Sequence, residues 1–305
     1  MSTSNISSDV LAAAEILLAG GIVGLPTETV YGLAARALDE TAVSKVYAVK
    51  ARPTSHPLIV HLSPEEDVSK WGVFTPDALR LARAFWPGPL TLLVERTALV
   101  PDWVTGGRDT VALRVPSHPV AIELLRAVDT GLVAPSANKF GKVSPTTAQH
   151  VFHDLGDSVD MILDGGSCEV GVESTIVECL GDSVALLRPG VISAEQIQKV
   201  VQSTLSSQQG EARAPGMLLS HYTPDADVVL VDSMEEAERC KAKLESSGSK
   251  VVIISHNQVD EYARRLYDEL RDADRDSCST VIAVLPSGDG IGAAIRDRLR
   301  KASTR

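Results

Sequence analysis

Short apolar runs recur along this chain and have the length and β-branched content of buried strands. They are Ile22-Val23-Gly24-Leu25, Leu58-Ile59-Val60 and the segments 90–94, 110–115, 132–134, 161–163, 174–178 and 184–188. Helices are predicted between them. One covers residues 10–19, capped by Ser8 or Asp9 and ended by Gly20-Gly21. Asp39 caps a second, which runs through Val43, Val46 and Val49. Thr75-Pro76-Asp77 opens a third, with proline in the first turn. Residues 118–128 read as helical, Ser144-Pro145 starts a helix through Val151, and Ser193 caps one to about Thr204. Residues 205–224 are polar and rich in Gly, Ser and Gln, so they read as a linker. Strands at 228–231, 251–254 and 281–284 then alternate with helices near 233–246, 257–272 and 290–301. That order predicts a small parallel sheet with helices packed on it. The expected organisation is α/β: a first domain over 1–204, a linker over 205–224 and a second domain over 225–305.

Composition narrows the function. A chain of 305 residues suits about two domains, and 44% hydrophobic residues suffice for a sizeable core. Only 4% are aromatic, so aliphatic packing dominates. The net charge of −11 disfavours general nucleic-acid binding, which needs surplus Lys and Arg. An anionic ligand must therefore meet a local cationic pocket. Cys168, Cys179, Cys240 and Cys278 show no paired spacing and read as reduced thiols, which suggests a cytoplasmic protein. The first residues carry no signal-peptide pattern, and no stretch approaches the ~20 apolar residues of a membrane span.

Polar residues with chemical potential sit at element ends. Thr27, Glu28 and Thr29 follow a strand, where open α/β sheets bind ligands. Lys50 and Arg52 flank Ala51 at a helix end, a place that also suits simple compensation of the helix dipole. His56 and His61 follow. Arg114 alternates with Thr110 and Ala112 on one strand face, and Arg188 ends a strand before Pro189-Gly190. Arginines converging on one rim make a phosphate or carboxylate site. Other patterns are weaker. Gly288-Asp289-Gly290-Ile291-Gly292 reads as a turn and helix start, and His150 with His153 as a solvated helix face. No Walker A sequence or GxSxG elbow occurs.

Several of these stretches together resemble a known family. TETVYGLAARAL from Thr27, the KxR of Lys50-Ala51-Arg52, PLIVH from Pro57, Pro135-Ser136-Ala137-Asn138 and Ser144-Pro145-Thr146 are similar to the signatures of the YrdC/Sua5 family. The segment from Ala214 to Pro224 resembles the linker of its longer, two-domain Sua5 type. The resemblance implies a YrdC-like twisted open mixed sheet plus a small Rossmann-like parallel domain. It implies synthesis of L-threonylcarbamoyladenylate from ATP, L-threonine and bicarbonate, for the N6-threonylcarbamoyl modification of adenosine 37 in tRNA. Matched positions imply that Arg52, His56, Thr110, Ser136, Ser144, Arg188 and Tyr222 contact ATP. They imply that Thr29, His61, Arg114, Ser174 and the backbone at Ala134 hold threonine. Lys50, Arg52 and Asn138 belong to the KxR and SxN signatures and are the expected catalytic groups.

The expected chemistry joins two anions, so cations must neutralise both the carboxylates and the triphosphate. Mg2+ is expected with ATP, carried by phosphates and water rather than by a protein cage. Contact with tRNA is expected only indirectly, through a downstream threonylcarbamoyl transferase complex. The linker end at His221 and Tyr222 is expected to fold over the nucleotide as a lid, with packing against the second domain as the alternative. Two other functions fit the fold. One is an RNA-binding module, which the net charge disfavours. The other is carbamoyl transfer, as in related domains of hydrogenase-maturation proteins, whose acylphosphatase-like and zinc-finger segments are missing from this sequence.

Overall fold

The computed structural model describes residues 5–207 and 222–304. The first unit opens with β1 (Ile6–Ser7) and α1 (Val10–Leu18), where the Asp9 carboxylate accepts from the Ala12 amide. β2 (Val23–Leu25), β3 (Gly32–Arg36), α2 (Glu40–Lys50) and β4 (Ile59–His61) follow. Next come β5 (Gly72–Val73), α3 (Pro76–Phe85), β6 (Leu90–Arg96), α4 (Asp102–Thr105), β7 (Thr110–Arg114), α5 (Pro119–Val128) and β8 (Leu132–Val133). The unit closes with α6 (Ala148–Leu155), β9 (Met161–Leu163), β10 (Thr175–Leu180), β11 (Ser183–Arg188), α7 (Ala194–Val200) and β12 (Leu205–Ser207). The second unit alternates β13 (Asp227–Val231), α8 (Met234–Ser246), β14 (Val251–Ile254), α9 (Val259–Arg275), β15 (Thr280–Val284) and α10 (Ile291–Ala302).

Two sheets result. The large one has the order β1-β9-β2-β3-β8-β4-β7-β6-β10-β11-β12, with β5 paired to β6, and mixes parallel with antiparallel pairs. The small one is parallel in the order β13-β15-β14. The expected two-sheet α/β architecture is therefore present. An aliphatic core lies between the large sheet and its helices, with Leu33, Val43, Val46, Leu81, Leu92, Leu113, Val151 and Val177 fully buried.

The two units share a core. Val30, Val143 and Val172 of the first pack with Tyr262, Ala263, Leu266 and Tyr267 of α9. Gly171 sits at φ +80, and a Cβ there would lie 2.5 Å from the Ala263 carbonyl, so only glycine admits α9 so closely. Polar contacts cross the same boundary. Arg271 grips both Asp154 oxygens at 2.9 and 2.6 Å, and Lys142 pairs with Asp225 at 2.6 Å.

Several expectations are corrected. β3 was not anticipated, because Gly32-Leu33-Ala34-Ala35-Arg36 lacks β-branched residues; a Cβ at Gly32 would lie only 2.9 Å from the Ala134 Cβ, so the strand needs glycine there. The helix expected from Ser144 begins only after Thr147, whose hydroxyl accepts from the His150 amide. α7 ends at Val200 rather than near Thr204, since the Gln202 and Ser203 amides turn to the Asp77 carboxylate. Residues 205–207 form β12 against β11 instead of linker. Most of the expected linker, residues 208–221, lies outside the described residues. His150 is not solvated: its Nδ1 lies 3.2 Å from the Thr146 hydroxyl and 3.8 Å from Asp268, whereas His153 is exposed.

Candidate functional site

The parallel strands β4 and β7 put His61 opposite Arg114 at their C-terminal ends. The loop after β2, the loop after β8, the entry to β10 and the exit of β11 converge on the same place. Together they line a narrow recess of about 50 Å³, bordered among others by Thr29, Arg52, His61, Arg114, Ala134, Ser136, Ser174, Arg188 and Tyr222. Nine residues expected to touch substrate thus meet in one cavity, although they come from eight separate stretches of chain.

Local chemistry shapes each wall. The Thr27 hydroxyl donates to the Val30 carbonyl at 2.6 Å and accepts from the Thr29 and Val30 amides, which folds Thr27-Glu28-Thr29-Val30 into a tight turn. That turn aims Thr29 at Arg114, whose Nη1 donates to its hydroxyl at 2.9 Å. Arg114 also pairs with Glu28 at 2.8 Å, with both groups buried. Burial raises the Glu28 carboxyl, but the Arg114 charge together with hydrogen bonds from Arg114 and the backbone brings the group below the usual carboxylate range. His61 is fully buried, and burial with the neighbouring Arg114 charge pushes its imidazole down to about 3. It is therefore neutral, and its Nδ1 has no partner among the described residues.

Two further cations complete the lining. Arg52 donates to the Pro57 carbonyl at 3.0 Å and lies over the Phe140 ring at 5.5 Å. Burial lowers its guanidinium to about 10, still charged near neutrality. Arg188 clasps Ser174, donating to its carbonyl at 2.9 and 3.1 Å and to its hydroxyl at 3.0 Å. Ser174 also shares a hydrogen bond with Thr91 at 2.7 Å.

Five expected residues stand elsewhere. Lys50 and Asn138 do not line the cavity. Lys50 donates to the Ser136 and Asn138 carbonyls at 2.5 and 2.6 Å, while Asn138 donates to the Lys139 and Lys142 carbonyls at 2.8 Å. Both brace the loop that presents Ser136. Burial, with Arg52 nearby, lowers the Lys50 ammonium well below its ordinary value. His56 packs edge-on to Phe140 at 5.3 Å, beside Arg52. The Ser144 hydroxyl donates to Glu173 at 2.6 Å. Thr110 lies at the opposite end of β7 from Arg114 and lines a more open groove of about 730 Å³ with Glu95 and Leu180. Arg96 in that groove is neutralised by Asp102 at 2.7 Å, so it offers no comparable cationic rim.

Residues that were not anticipated make up a buried network behind the cavity. Glu173 accepts from Ser144 on one oxygen, and from Tyr267 and Arg298 at 2.8 Å on the other. Burial would raise this carboxyl, but Arg298 and then Arg188 bring it down to about 2. Tyr222 stacks on Tyr267 at 5.7 Å and lies under the Arg298 guanidinium at 5.2 Å. The packing alternative for Tyr222 is therefore present, and the same ring also lines the cavity. One signal was available: Arg298 falls on the same face of α10 as Ile291, Ile295, Leu299 and Ala302, a stripe that is otherwise apolar.

Residues 15–190 match the Sua5/YciO/YrdC family model, described as telomere recombination, and residues 192–304 match the model of the threonylcarbamoyl-AMP synthase C-terminal domain. The chain belongs to the Sua5/YciO/YrdC family. It is 39% identical to a threonylcarbamoyl-AMP synthase of Pyrococcus abyssi, over 95% of this chain and 93% of that protein. It is also 39% identical to the Bacillus subtilis protein of that name, over 95% of this chain and 92% of the other. The structure superimposes on Pyrococcus abyssi Sua5 complexed with L-threonine with a TM-score of 0.91, at 39% identity, covering 96% of this chain and 94% of that one. Among the described residues no helix is long and apolar enough to cross a membrane.

Proposed function

We propose that this protein is an L-threonylcarbamoyladenylate synthase, a nucleotidyltransferase that forms threonylcarbamoyl-AMP and pyrophosphate from ATP, L-threonine and bicarbonate. The observation that carries the reading is the meeting of three buried arginines, Arg52, Arg114 and Arg188, in one cavity with Thr29, His61 and Ser174. The family relationship supports it.

Bicarbonate loses hydroxide to give CO2; the threonine amine attacks the CO2 carbon and loses a proton, which leaves with that hydroxide as water, giving an N-carboxylate. An oxygen of that carboxylate attacks the α-phosphorus of ATP. The bond from the α-phosphorus to the bridging oxygen breaks, and pyrophosphate leaves. Two anionic partners, the N-carboxylated threonine and the triphosphate, must approach one another, and the fixed guanidinium groups offset their repulsion without reorganising during the reaction. Arg114 lies against the Thr29 hydroxyl and beside His61, which suits a short amino acid bearing one carboxylate and one hydroxyl. Arg52 and Arg188, with Ser136, form the side suited to phosphates. Neutral His61 can accept a hydrogen bond from an amine or hydroxyl without adding charge. The described side chains include no group of three or more acidic, His or Cys residues able to hold a metal, and Glu173 is already engaged by three donors. Mg2+ enters as the complex of ATP, as part of the substrate.

The product is consumed by a threonylcarbamoyl transferase complex acting on tRNA, in the cytoplasm, so this protein meets tRNA only indirectly. Pyrophosphate release by the purified full chain tests the reading. Release is expected only when ATP, L-threonine and bicarbonate are all present. Equal release without threonine overturns it, and carbamoyl-phosphate-dependent transfer would favour the carbamoyl transferase alternative.

A further inference from the structure

Arg298 heads the fully buried side chains by size, yet it belongs to the second unit, on α10. Its Nε donates to Glu173 at 2.8 Å, its Nη2 to the Pro189 carbonyl at 3.2 Å, and its Nη1 pairs with Asp297 at 2.5 Å. Its guanidinium plane also covers Tyr222. Tyr267 of α9 donates to the same Glu173 oxygen that Arg298 uses. Glu173 and Tyr222 line the cavity, and Glu173 and Pro189 are the chain neighbours of Ser174 and Arg188. One guanidinium from the small-sheet unit thus holds both segments of the large sheet that deliver Ser174 and Arg188.

We propose that Arg298, backed by Tyr267, is a positioning residue for the substrate cavity, supplying the counter-charge that fixes Glu173 and so holds Arg188 on Ser174 at the cavity wall. The inference rests on the synthase reading for the identity of the anionic substrate, a nucleoside triphosphate. The physical argument is a competition between cations. Glu173 is a buried carboxylate on the cavity wall, in a site built for phosphates. With Arg298 on it, its charge is spent. Without Arg298, the charge of Arg188 is the one that still acts on Glu173, and a buried carboxylate that loses its partner must either draw another cation or take up a proton. Drawing Arg188 would pull it off the Ser174 carbonyl and hydroxyl, and so out of reach of phosphate. The second unit therefore completes the cavity electrostatically from behind its wall. A side chain needed only for packing would be apolar here, as its neighbours Ile295 and Leu299 on α10 are.

Three variants of the full chain test this: Arg298→Lys, Arg298→Met, and the double variant Glu173→Gln/Arg298→Met. ATP affinity is read by calorimetry, threonine-dependent pyrophosphate release by assay, and unliganded stability by thermal melting. Arg298→Met is expected to weaken ATP binding by on the order of 10- to 100-fold, as for loss of a charged buried contact. Arg298→Lys should weaken it less. The double variant should recover to within about fivefold of the parent, since it removes the uncompensated carboxylate together with its partner. Unchanged ATP affinity in Arg298→Met, or a double variant no better than the single, overturns the inference in favour of packing alone. If Arg298→Met does not fold, Arg298→Lys and Tyr267→Phe decide: a three- to tenfold loss of ATP affinity with kcat less affected supports the inference, on the order expected for one hydrogen bond, and unchanged affinity overturns it. A parent chain that binds ATP but shows no threonine-dependent release sinks the synthase reading while leaving the Arg298 comparison readable. A parent chain with no measurable ATP affinity overturns both.

Discussion

Glu28 and Arg114 form a 2.8 Å ion pair in which neither side chain is more than 6% exposed. The pair leaves Arg114 directed at the Thr29 hydroxyl, where a small carboxylate can meet its fork. Glu28→Gln keeps the shape and removes the charge that fixes Arg114. It is expected to raise the threonine KM about tenfold, to leave ATP affinity within about twofold, and to lower stability by about 3 kcal/mol. Substrate titrations and denaturant melts check it. A rise in the ATP KM instead would show that Arg114 serves the nucleotide.

Arg52→Ala and Arg114→Ala should fail differently. Each loses a charge-assisted contact of about 1.5–3 kcal/mol. Arg52→Ala is expected to weaken ATP binding and Arg114→Ala threonine binding. Calorimetric titration of each ligand into each variant decides, and the reverse pattern would exchange the two assignments.

His61 predicts a pH dependence. Its imidazole is held at about 3 in the folded chain by burial and Arg114, against 6.5 ordinarily. Between those values the unfolded chain binds a proton that the folded chain refuses. Stability from this group is therefore full above about 6.5 and is lost as pH falls toward 3. One pH unit below 6.5 the loss is about 1.4 kcal/mol. His61→Gln should flatten stability against pH between 6.5 and 4.5, above the window from 4.5 down to about 2 in which Glu173 acts. Denaturant midpoints at pH 7, 6 and 5 for parent and variant measure it; parallel curves would mean that His61 is protonated in the fold.

Tyr222→Ala should lower unliganded stability by about 3 kcal/mol, because the ring is 1% exposed between Tyr267 and Arg298. A lid that closed only over nucleotide would leave the melting temperature of the unliganded chain unchanged. ATP affinity should fall as well, since the ring lines the cavity. Thermal melting with and without ATP separates the two effects.

What the sequence disclosed depended on periodicity. The alternation of Thr110, Ala112 and Arg114 correctly placed these residues on one strand face, and Asp39, Thr75 and Ser193 are the caps their patterns predicted. β3 escaped because its alanines and glycine are chosen for close approach to β8, a tertiary demand without local signature. Lys50 has the same spacing to Arg52 whether it faces substrate or a loop carbonyl, so its bracing role was not legible. Glu173 was hidden for a different reason. Its partners Tyr267 and Arg298 lie more than ninety residues away, and no local pattern distinguishes a buried paired carboxylate from a solvated one.

The order of the large sheet bears on how the chain folds. β1 and β2 both lie against β9, with Ile6 opposite Ile162 and Gly24 opposite Ile162 on its other side. During synthesis the opening strands must therefore wait for more than a hundred further residues before this edge can zip. Contacts of such sequence separation slow folding, because loop closure precedes any gain from pairing. A nascent chain halted before Leu163 would hold the Thr27–Val30 turn and Arg52 but neither Glu173 nor Arg188, so the substrate cavity matures late in folding.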